Sequence, residues 1–378
     1  MNITFLLTNP PNPRMQRRAL AFNSFAVCQL SCIRRKSSDI YTYDPNMFSM
    51  TDEMTFEVPP STSLFKRFAV FPKILDIQQK SLKKFHPDVI YVQGIDCLLA
   101  AWIYKLRSRN VPHIVYEVAD LREAFFQSGS LIQKAKSRLI CNIEKILLNS
   151  VSLVVATSGK FLDLRYRKLL PENKLLEVPN MPNLSYFQCF KKKGEGEFVV
   201  GYVGVLRYIN QMKLLCDAAK SVNCRVVFSG EAQDSSEYRE LVDYSDNRWV
   251  TFSGRYDYAT EIASIYGAFD CVYAVYDAKN PNVQIALPNK LYEAVWCGLP
   301  LIVSRGTYLG EIVETLGVGI AVDCESEEEI ANAVRLLSSK GAEYNSMVAA
   351  CERAKSSSLF EDKTKQLSKI ISSFDCAE

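Results

Sequence analysis

The sequence predicts an α/β protein built from two Rossmann-like, doubly wound domains. Apolar runs suited to strands alternate with amphipathic stretches of helical period along the whole chain. Many of those runs are apolar throughout, as expected where helices cover both faces of a parallel sheet. The length, 378 residues, exceeds one ordinary α/β core and suits two.

In the first series the expected strands cover 3–7, 25–33, 89–92, 113–118, 152–157 and 175–178, with helices over 15–22, 72–84, 97–109, 131–149 and 160–169. The opening run reads as a strand and not as a secretion signal, because Arg14, Arg17 and Arg18 follow its apolar residues instead of preceding them. The second series has strands over 198–203, 225–229, 249–252, 271–275, 301–304 and 319–322. Its helices cover 210–220, 235–242, 259–266, 289–297, 309–316 and 326–339, and two terminal helices follow over 342–355 and 360–374. Between the series, Lys191-Lys192-Lys193-Gly194-Glu195-Gly196-Glu197 mixes charge with glycine, which places a linker within 183–197. The expected domains are therefore 1–185 and 195–357, with 358–378 as a C-terminal helix packing back on the first domain. Two such domains facing each other make a cleft, a common place for a ligand.

A composition of 48% hydrophobic and 23% charged residues is that of a globular protein, and no apolar run reaches the ~18–20 residues of a membrane span. The net charge of +3 is unevenly spread: residues 1–180 hold 25 of the 45 Lys and Arg but only 15 of the 42 Asp and Glu. A basic first half implies an anionic partner there: a membrane surface, a phosphorylated acceptor or nucleic acid. Nucleic acid is the poorest fit, since neither an aromatic β-platform nor a helix-turn-helix pattern is present. The twelve cysteines form no Cys-x-x-Cys pair and sit mostly in apolar runs, as buried thiols of a reducing cytosol do. The two histidines, His86 and His113, fall at the amino ends of strands, the wrong edge for a ligand, which argues against His-ligated zinc and Ser-His-Asp hydrolysis. No phosphate-binding Gly-x-x-x-x-Gly-Lys-Ser/Thr and no Gly-x-Gly-x-x-Gly after a strand occurs, which excludes P-loop chemistry and weakens a dehydrogenase reading.

Ligands of open α/β sheets bind beyond the carboxyl ends of the strands. After the strand at 198–203 comes Gly204, which lets the backbone approach a ligand, and Arg207, close to the next helix start, where the dipole favours an anion. After the strand at 271–275, a loop containing Asn282 leads into Pro288-Asn289-Lys290-Leu291-Tyr292-Glu293. Pro288 can open the helix and Asn289 can cap it. Lys290 in a first helical turn opposes the dipole, which makes sense where an anion binds. Glu293 lies three residues on, on the same face, where a plain Lys290–Glu293 ion pair is the alternative reading. In the first domain Asp120 follows the strand at 113–118 and Glu117 lies within it; either carboxylate could take a proton from an acceptor hydroxyl, and Asp120 could equally cap a helix. Lys66, Arg67 and Lys73, interleaved with aromatics, form a candidate membrane or acceptor patch. Asp-x-Asp is absent, so no metal or other cofactor is expected, and cationic side chains would neutralise a leaving diphosphate.

Several of these motifs resemble one family. Pro288-Asn289-Lys290-Leu291-Tyr292-Glu293-Ala294, Gly298-Leu299-Pro300, Ser304 and Gly310-Glu311-Ile312-Val313 are similar to the C-terminal signature of GT-B-fold glycosyltransferases like those of glycosyltransferase family 4. Gly201-Tyr202-Val203-Gly204-Val205-Leu206-Arg207-Tyr208 resembles the start of their donor domain, and Pro13-Arg14, Arg17-Arg18, Pro87-Asp88-Val89-Ile90-Tyr91 and Tyr116-Glu117-Val118-Ala119-Asp120 resemble parts of their first domain. The resemblance implies a GT-B fold and sugar transfer from a nucleotide-diphosphate sugar bound by the second domain. Glu293 would hold the ribose hydroxyls, and Lys290 and Arg207 the diphosphate. The acceptor, a glycan or lipid-linked sugar of surface polysaccharide or glycoconjugate assembly, would bind the first domain, with the protein in the cytoplasm or peripheral on the inner face of the membrane. Ile285, Val205 and Ala119 stand where family members often carry Glu, Arg and His, so the donor sugar and the retaining or inverting outcome stay open. A non-catalytic nucleotide or sugar binder and a nucleotide-sugar epimerase of the same fold are the alternatives.

Overall fold

The computed structural model describes residues 1–35, 43–56, 64–121, 131–231 and 235–376. The chain divides into two units: Met1–Pro179 with Asp362–Glu378, and Asn180–Glu361.

The first unit runs β1 (Asn2–Leu7), α1 (Pro13–Phe22), β2 (Val27–Arg35), β3 (Met50–Phe56), α2 (Leu64–Phe85), β4 (Val89–Gln93), α3 (Ile95–Arg107), β5 (His113–Val118), α4 (Leu131–Leu148), β6 (Leu153–Ala156), α5 (Gly159–Leu164) and β7 (Leu175–Glu177). Its strands pair in parallel in the order β3-β2-β1-β4-β5-β6-β7. The central strands explain why the sequence reads so clearly here: Ile3, Phe5, Val89, Tyr91 and Val115 are all fully buried.

Two departures from expectation have local causes. The edge strand β3 was not anticipated, because Met-Thr-Asp-Glu-Met-Thr-Phe carries polar side chains suited to a sheet edge. Helix α2 starts at Leu64, ahead of the expected span of 72–84, and passes through Pro72, which is exposed there and forfeits one backbone hydrogen bond.

The second unit runs β8 (Val199–Val203), α6 (Ile209–Val222), β9 (Arg225–Ser229), α7 (Ser235–Tyr244), β10 (Val250–Gly254), α8 (Tyr258–Gly267), β11 (Cys271–Ala274), α9 (Asn289–Trp296), β12 (Leu301–Ser304), α10 (Tyr308–Leu316), β13 (Gly319–Val322), α11 (Glu327–Ser338) and α12 (Ala342–Ala354). Its parallel sheet has the order β10-β9-β8-β11-β12-β13. The direction of winding reverses between β8 and β11, the topological switch point at which such sheets hold ligands.

The division between units falls at Pro179/Asn180, ahead of the glycine-rich stretch. Met181 and Phe187 are the reason: both are buried in the second unit's core, where Phe187 meets Tyr266 edge-on, 5.9 Å between ring centroids. The chain returns to the first unit at Asp362, and α13 (Thr364–Ser372) buries Leu367 and Ile371 among the side chains of β1, β2 and α1.

Candidate functional site

The loops leaving β8 and β11 meet side by side. Gly204 ends β8 with φ +114°, and a Cβ there would lie 3.4 Å from the Lys290 Nζ. Gly230, at the end of β9, has φ +138°, and a Cβ there would stand 2.0 Å from the Gly204 carbonyl oxygen, so the two turns nest only as glycines. The loop after β11 is tied down at its root: the Ser304 hydroxyl donates to the Tyr276 carbonyl at 2.6 Å and accepts from the Tyr276 N–H at 2.7 Å.

Lys290 reaches into this corner. Its ammonium donates to the Tyr276 hydroxyl at 3.0 Å and sits 4.5 Å from the centroid of the Tyr202 ring and 5.3 Å from that of Tyr276. Burial pushes the Tyr202 hydroxyl up to about 12, with Lys290 and then Arg207 pulling against it, so both cations share this space. Arg207 is exposed on the Gly204 loop. Among the described residues neither Lys290 nor Arg207 has a carboxylate partner; the i,i+3 pair with Glu293 is not formed.

The helix starts at this corner differ from their neighbours. Helices α8, α10 and α11 are capped by Asp257, Thr307 and Ser326, whose side chains accept from the N–H groups of Thr260, Gly310 and Glu329, and each carries Glu in its first turn. Helices α6 and α9 have neither a side-chain cap nor a first-turn acid. Pro288 occupies the cap position of α9, so Asn289, suggested by sequence as the cap, is the first helical residue instead. At the start of α6, Tyr208 adopts a left-handed backbone (φ 31°, ψ 55°), and its ring packs on Tyr276 at 5.3 Å. Strain of that kind costs ~1–3 kcal/mol and collects at functional sites. Open N–H groups, two cations and a close-packed glycine turn make a site for an anion. Asn282 lies in the β11–α9 loop, where its carbonyl accepts from Ala286 N–H at 3.0 Å.

Glu293, one helical turn below Lys290, is 3% exposed. The Tyr258 and Tyr266 hydroxyls donate to its two oxygens, each at 2.5 Å. Burial, and then the Glu293 charge, hold the Tyr266 hydroxyl well above its ordinary range.

In the first unit, sequence placed Glu117 and Asp120 together as acceptor-side carboxylates. The structure separates their roles. Asp120 is exposed just past the carboxyl end of β5. Glu117 is buried inside the sheet edge, where the Arg14 Nε approaches its Oε1 at 2.6 Å, the Arg18 Nε donates to Oε2 at 3.4 Å and the Tyr91 hydroxyl also donates to Oε2. Arg18 further donates to the Thr364 hydroxyl at 2.7 Å and to the Val178 carbonyl. Glu117 is therefore the centre of a buried ionic cluster and not an available base. Lys73 is exposed on α2, while the side chains of Lys66 and Arg67 lie outside the described residues. His113 stacks on Phe374 at 4.3 Å, with burial holding its pKa below the ordinary value, and takes no part in either site. Burial pushes the Cys28 and Cys32 thiols up to about 12, the reverse of what a nucleophile or metal ligand needs.

Sequence reasoning missed the aromatic walls, Tyr202, Tyr208 and Tyr276, and the Tyr258/Tyr266 pair. Tyr202 and Tyr208 fell inside a quoted motif without being singled out; Tyr258, Tyr266 and Tyr276 come from segments far apart in the chain and carry no spacing signal.

Two doubly wound parallel sheets, with an anion-ready corner at the switch point of the second, define a two-domain α/β protein suited to hold a phosphorylated ligand. Residues 197–340, within the second unit, match the family model for glycosyl transferases, group 1. The chain is 24% identical over 276 residues to the succinoglycan biosynthesis protein ExoL of Rhizobium meliloti, covering 70% of this chain and 67% of ExoL. Among solved structures it resembles sucrose-phosphate synthase from Thermosynechococcus elongatus (TM-score 0.73, 17% identity, 100% of both chains) and Anabaena HepE in complex with UDP (TM-score 0.70, 15% identity, 99% and 100%). The protein is a glycosyltransferase of GT-B fold in which residues 197–340 match the group 1 model. Among the described residues, no helix is long and apolar enough to cross a membrane.

Proposed function

We propose that the protein transfers a sugar from a nucleoside-diphosphate sugar, held at the β8/β11 corner, to a hydroxyl of a lipid-linked glycan acceptor during surface polysaccharide assembly at an anionic membrane. The carrying observation is the pair Lys290 and Arg207, two cations with no carboxylate partner among the described residues, at two helix starts without side-chain caps. Supporting it, HepE was solved with UDP and ExoL is named for succinoglycan biosynthesis. In the reaction, the bond from the anomeric carbon to the β-phosphate oxygen breaks, and its electron pair leaves with the diphosphate. The acceptor oxygen forms the new bond, and its proton passes to a base, for which Asp120 is the candidate. Lys290, Arg207 and the open N–H groups stabilise the charge gathering on the diphosphate, the work a metal does elsewhere. Glu293 orients the ribose, and Asn282 and Asn289 supply polar contacts from the loop and helix start.

A thermal-shift comparison of UDP, GDP, CDP and ADP tests the donor site. One of them, with UDP first in expectation, should stabilise the protein by about 2.7 kcal/mol at a hundredfold excess over its Kd. No stabilisation by any of them at millimolar concentration would end the donor-site reading. A binder without activity would show the shift and release no nucleoside diphosphate from any sugar nucleotide.

The Tyr258/Tyr266 clamp carries its own prediction. Each hydroxyl orients a buried carboxylate, and a hydrogen bond to a charged group contributes ~1.5–3 kcal/mol. Tyr258→Phe and Tyr266→Phe should each weaken nucleoside-diphosphate binding about tenfold in a calorimetric titration, in line with the lower end of that range. Unchanged affinity in both would reduce Glu293 to a buried structural acid.

A further inference from the structure

Helix α4 presents an outward face unlike that of any ordinary surface helix. Leu139, Ile143 and Ile146 follow one another at i, i+4 and i+7, so they share one stripe, and they are 61%, 37% and 59% exposed. The opposite face does the packing: Ser137, Glu144, Leu147 and Leu148 are buried. Cations flank the stripe. Lys136 lies on one side and Arg138 and Lys145 on the other, all exposed.

The helix has one acid, Glu144, and it is turned inward. The Arg165 Nε donates to it at 2.5 Å, and the Tyr166 and Tyr116 hydroxyls donate at 3.0 and 3.2 Å. The outward face of α4 therefore carries no negative charge. Exposed apolar side chains also occur at the end of the neighbouring helix α3. Lys105 donates to the Ser150 carbonyl at 3.1 Å, which sets the end of α3 beside the end of α4. There Leu106 and Val111 are 66% and 62% exposed, next to the exposed Arg107 and Arg109.

Three large exposed apolar side chains thus share one face of α4, flanked by cations and, among the described residues of the helix, with no acid turned outward, and two more lie exposed at the neighbouring end of α3. Isolated exposed leucines need no explanation; a contiguous patch does. Water-facing helices mix both charges, and a protein partner of mixed surface would not call for one sign only. An apolar stripe sunk to headgroup depth, with Lys and Arg at the level of lipid phosphates, matches both features.

We infer that the α4 face, extended by the end of α3, seats the first unit on an anionic lipid bilayer. This deepens the membrane-bound reading above by assigning its contact surface, and it moves that surface away from the α2 patch of Lys66, Arg67 and Lys73.

Co-sedimentation of the full chain with vesicles tests it. Phosphatidylglycerol-containing vesicles should bind the protein, and pure phosphatidylcholine vesicles should bind it far more weakly. Raising the salt should release it. The triple variant Leu139→Gln/Ile143→Gln/Ile146→Gln should lose binding. Lys136→Gln, Arg138→Gln and Lys145→Gln should each weaken it about fivefold. All of these residues are exposed, so the variants should melt with the wild type. Lys66→Gln/Arg67→Gln/Lys73→Gln should keep most of the binding.

Three results would overturn the inference. If the α4 triple variant binds normally and the α2 variant does not, the membrane reading stands but its surface is α2. If the wild type binds no vesicle, surface and membrane reading fall together, while nucleotide binding remains a separate question. If the wild type is a dimer that ignores vesicles and the α4 triple variant is a monomer, a second copy of the chain covers this face.

Discussion

Lys290→Ala should lower turnover by ~10²–10³ while leaving the melting temperature nearly unchanged. The two halves of that expectation have separate causes. The rate loss follows from removing a fixed charge placed where the diphosphate gains negative charge as the sugar leaves. In the folded protein, though, the same charge does little. Its contacts are the faces of Tyr202 and Tyr276 and one Tyr276 hydroxyl, with no carboxylate among them. Cation–π contact of this kind contributes ~0.5–1 kcal/mol at a partly exposed site. A lysine in the first turn of α9 opposes the helix dipole at a cost of similar size, ~0.3–1 kcal/mol. The two nearly cancel. Initial rates of nucleoside-diphosphate release, with calorimetric melting of the same preparations, measure both halves. Turnover close to wild type would remove Lys290 from the donor site; a large fall in melting temperature would recast it as a structural residue. Lys290→Arg keeps the charge but not the compact ammonium, and should recover part of the rate.

The residues legible in the sequence are those whose role depends on local position. Gly204, Arg207 and Lys290 could be singled out because strand ends and helix starts are local features, and the structure brings these three together. The central strands β8, β11 and β12 were legible because a parallel strand buried on both faces must be apolar along its length. What stayed hidden depends on neighbours distant in the chain. Tyr258 and Tyr266 lie 35 and 27 residues from Glu293, and nothing in their spacing announces a shared carboxylate. β3 was hidden for the opposite reason: an edge strand does not need to be apolar. Glu117 was misread because its meaning lies 99 residues away, in Arg18. Placed by sequence beside Asp120 at a ligand-facing edge, it looked like a base; with α1 packed over it, it is a counter-ion.

That difference gives the second large expected effect. Glu117→Ala should destabilise the protein by ~3–5 kcal/mol, because it leaves Arg14 and Arg18 in place as buried cations with their shared carboxylate gone. Arg18 is completely buried and Arg14 is 8% exposed, so neither can turn to water without opening α1. For a unit of this size the loss corresponds to a fall in melting temperature of roughly 10 °C. The pH dependence follows from the same geometry. Burial alone would raise the Glu117 pKa, and is the largest single influence, but Arg18, Arg14 and the Tyr91 hydroxyl together outweigh it and hold the group below its ordinary value. A carboxyl depressed in the folded state contributes stability that is fully present above the ordinary carboxylate pKa. That contribution drains away as pH falls through the folded value. Wild-type protein should therefore lose stability in acid more steeply than Glu117→Ala, and the two melting temperatures should converge at low pH. A catalytic base would behave in the opposite way, with turnover lost and the melting temperature held. If Glu117→Ala melts with the wild type at neutral pH, the ionic cluster is not what holds α1 to the sheet, and the acceptor-side role returns to Glu117.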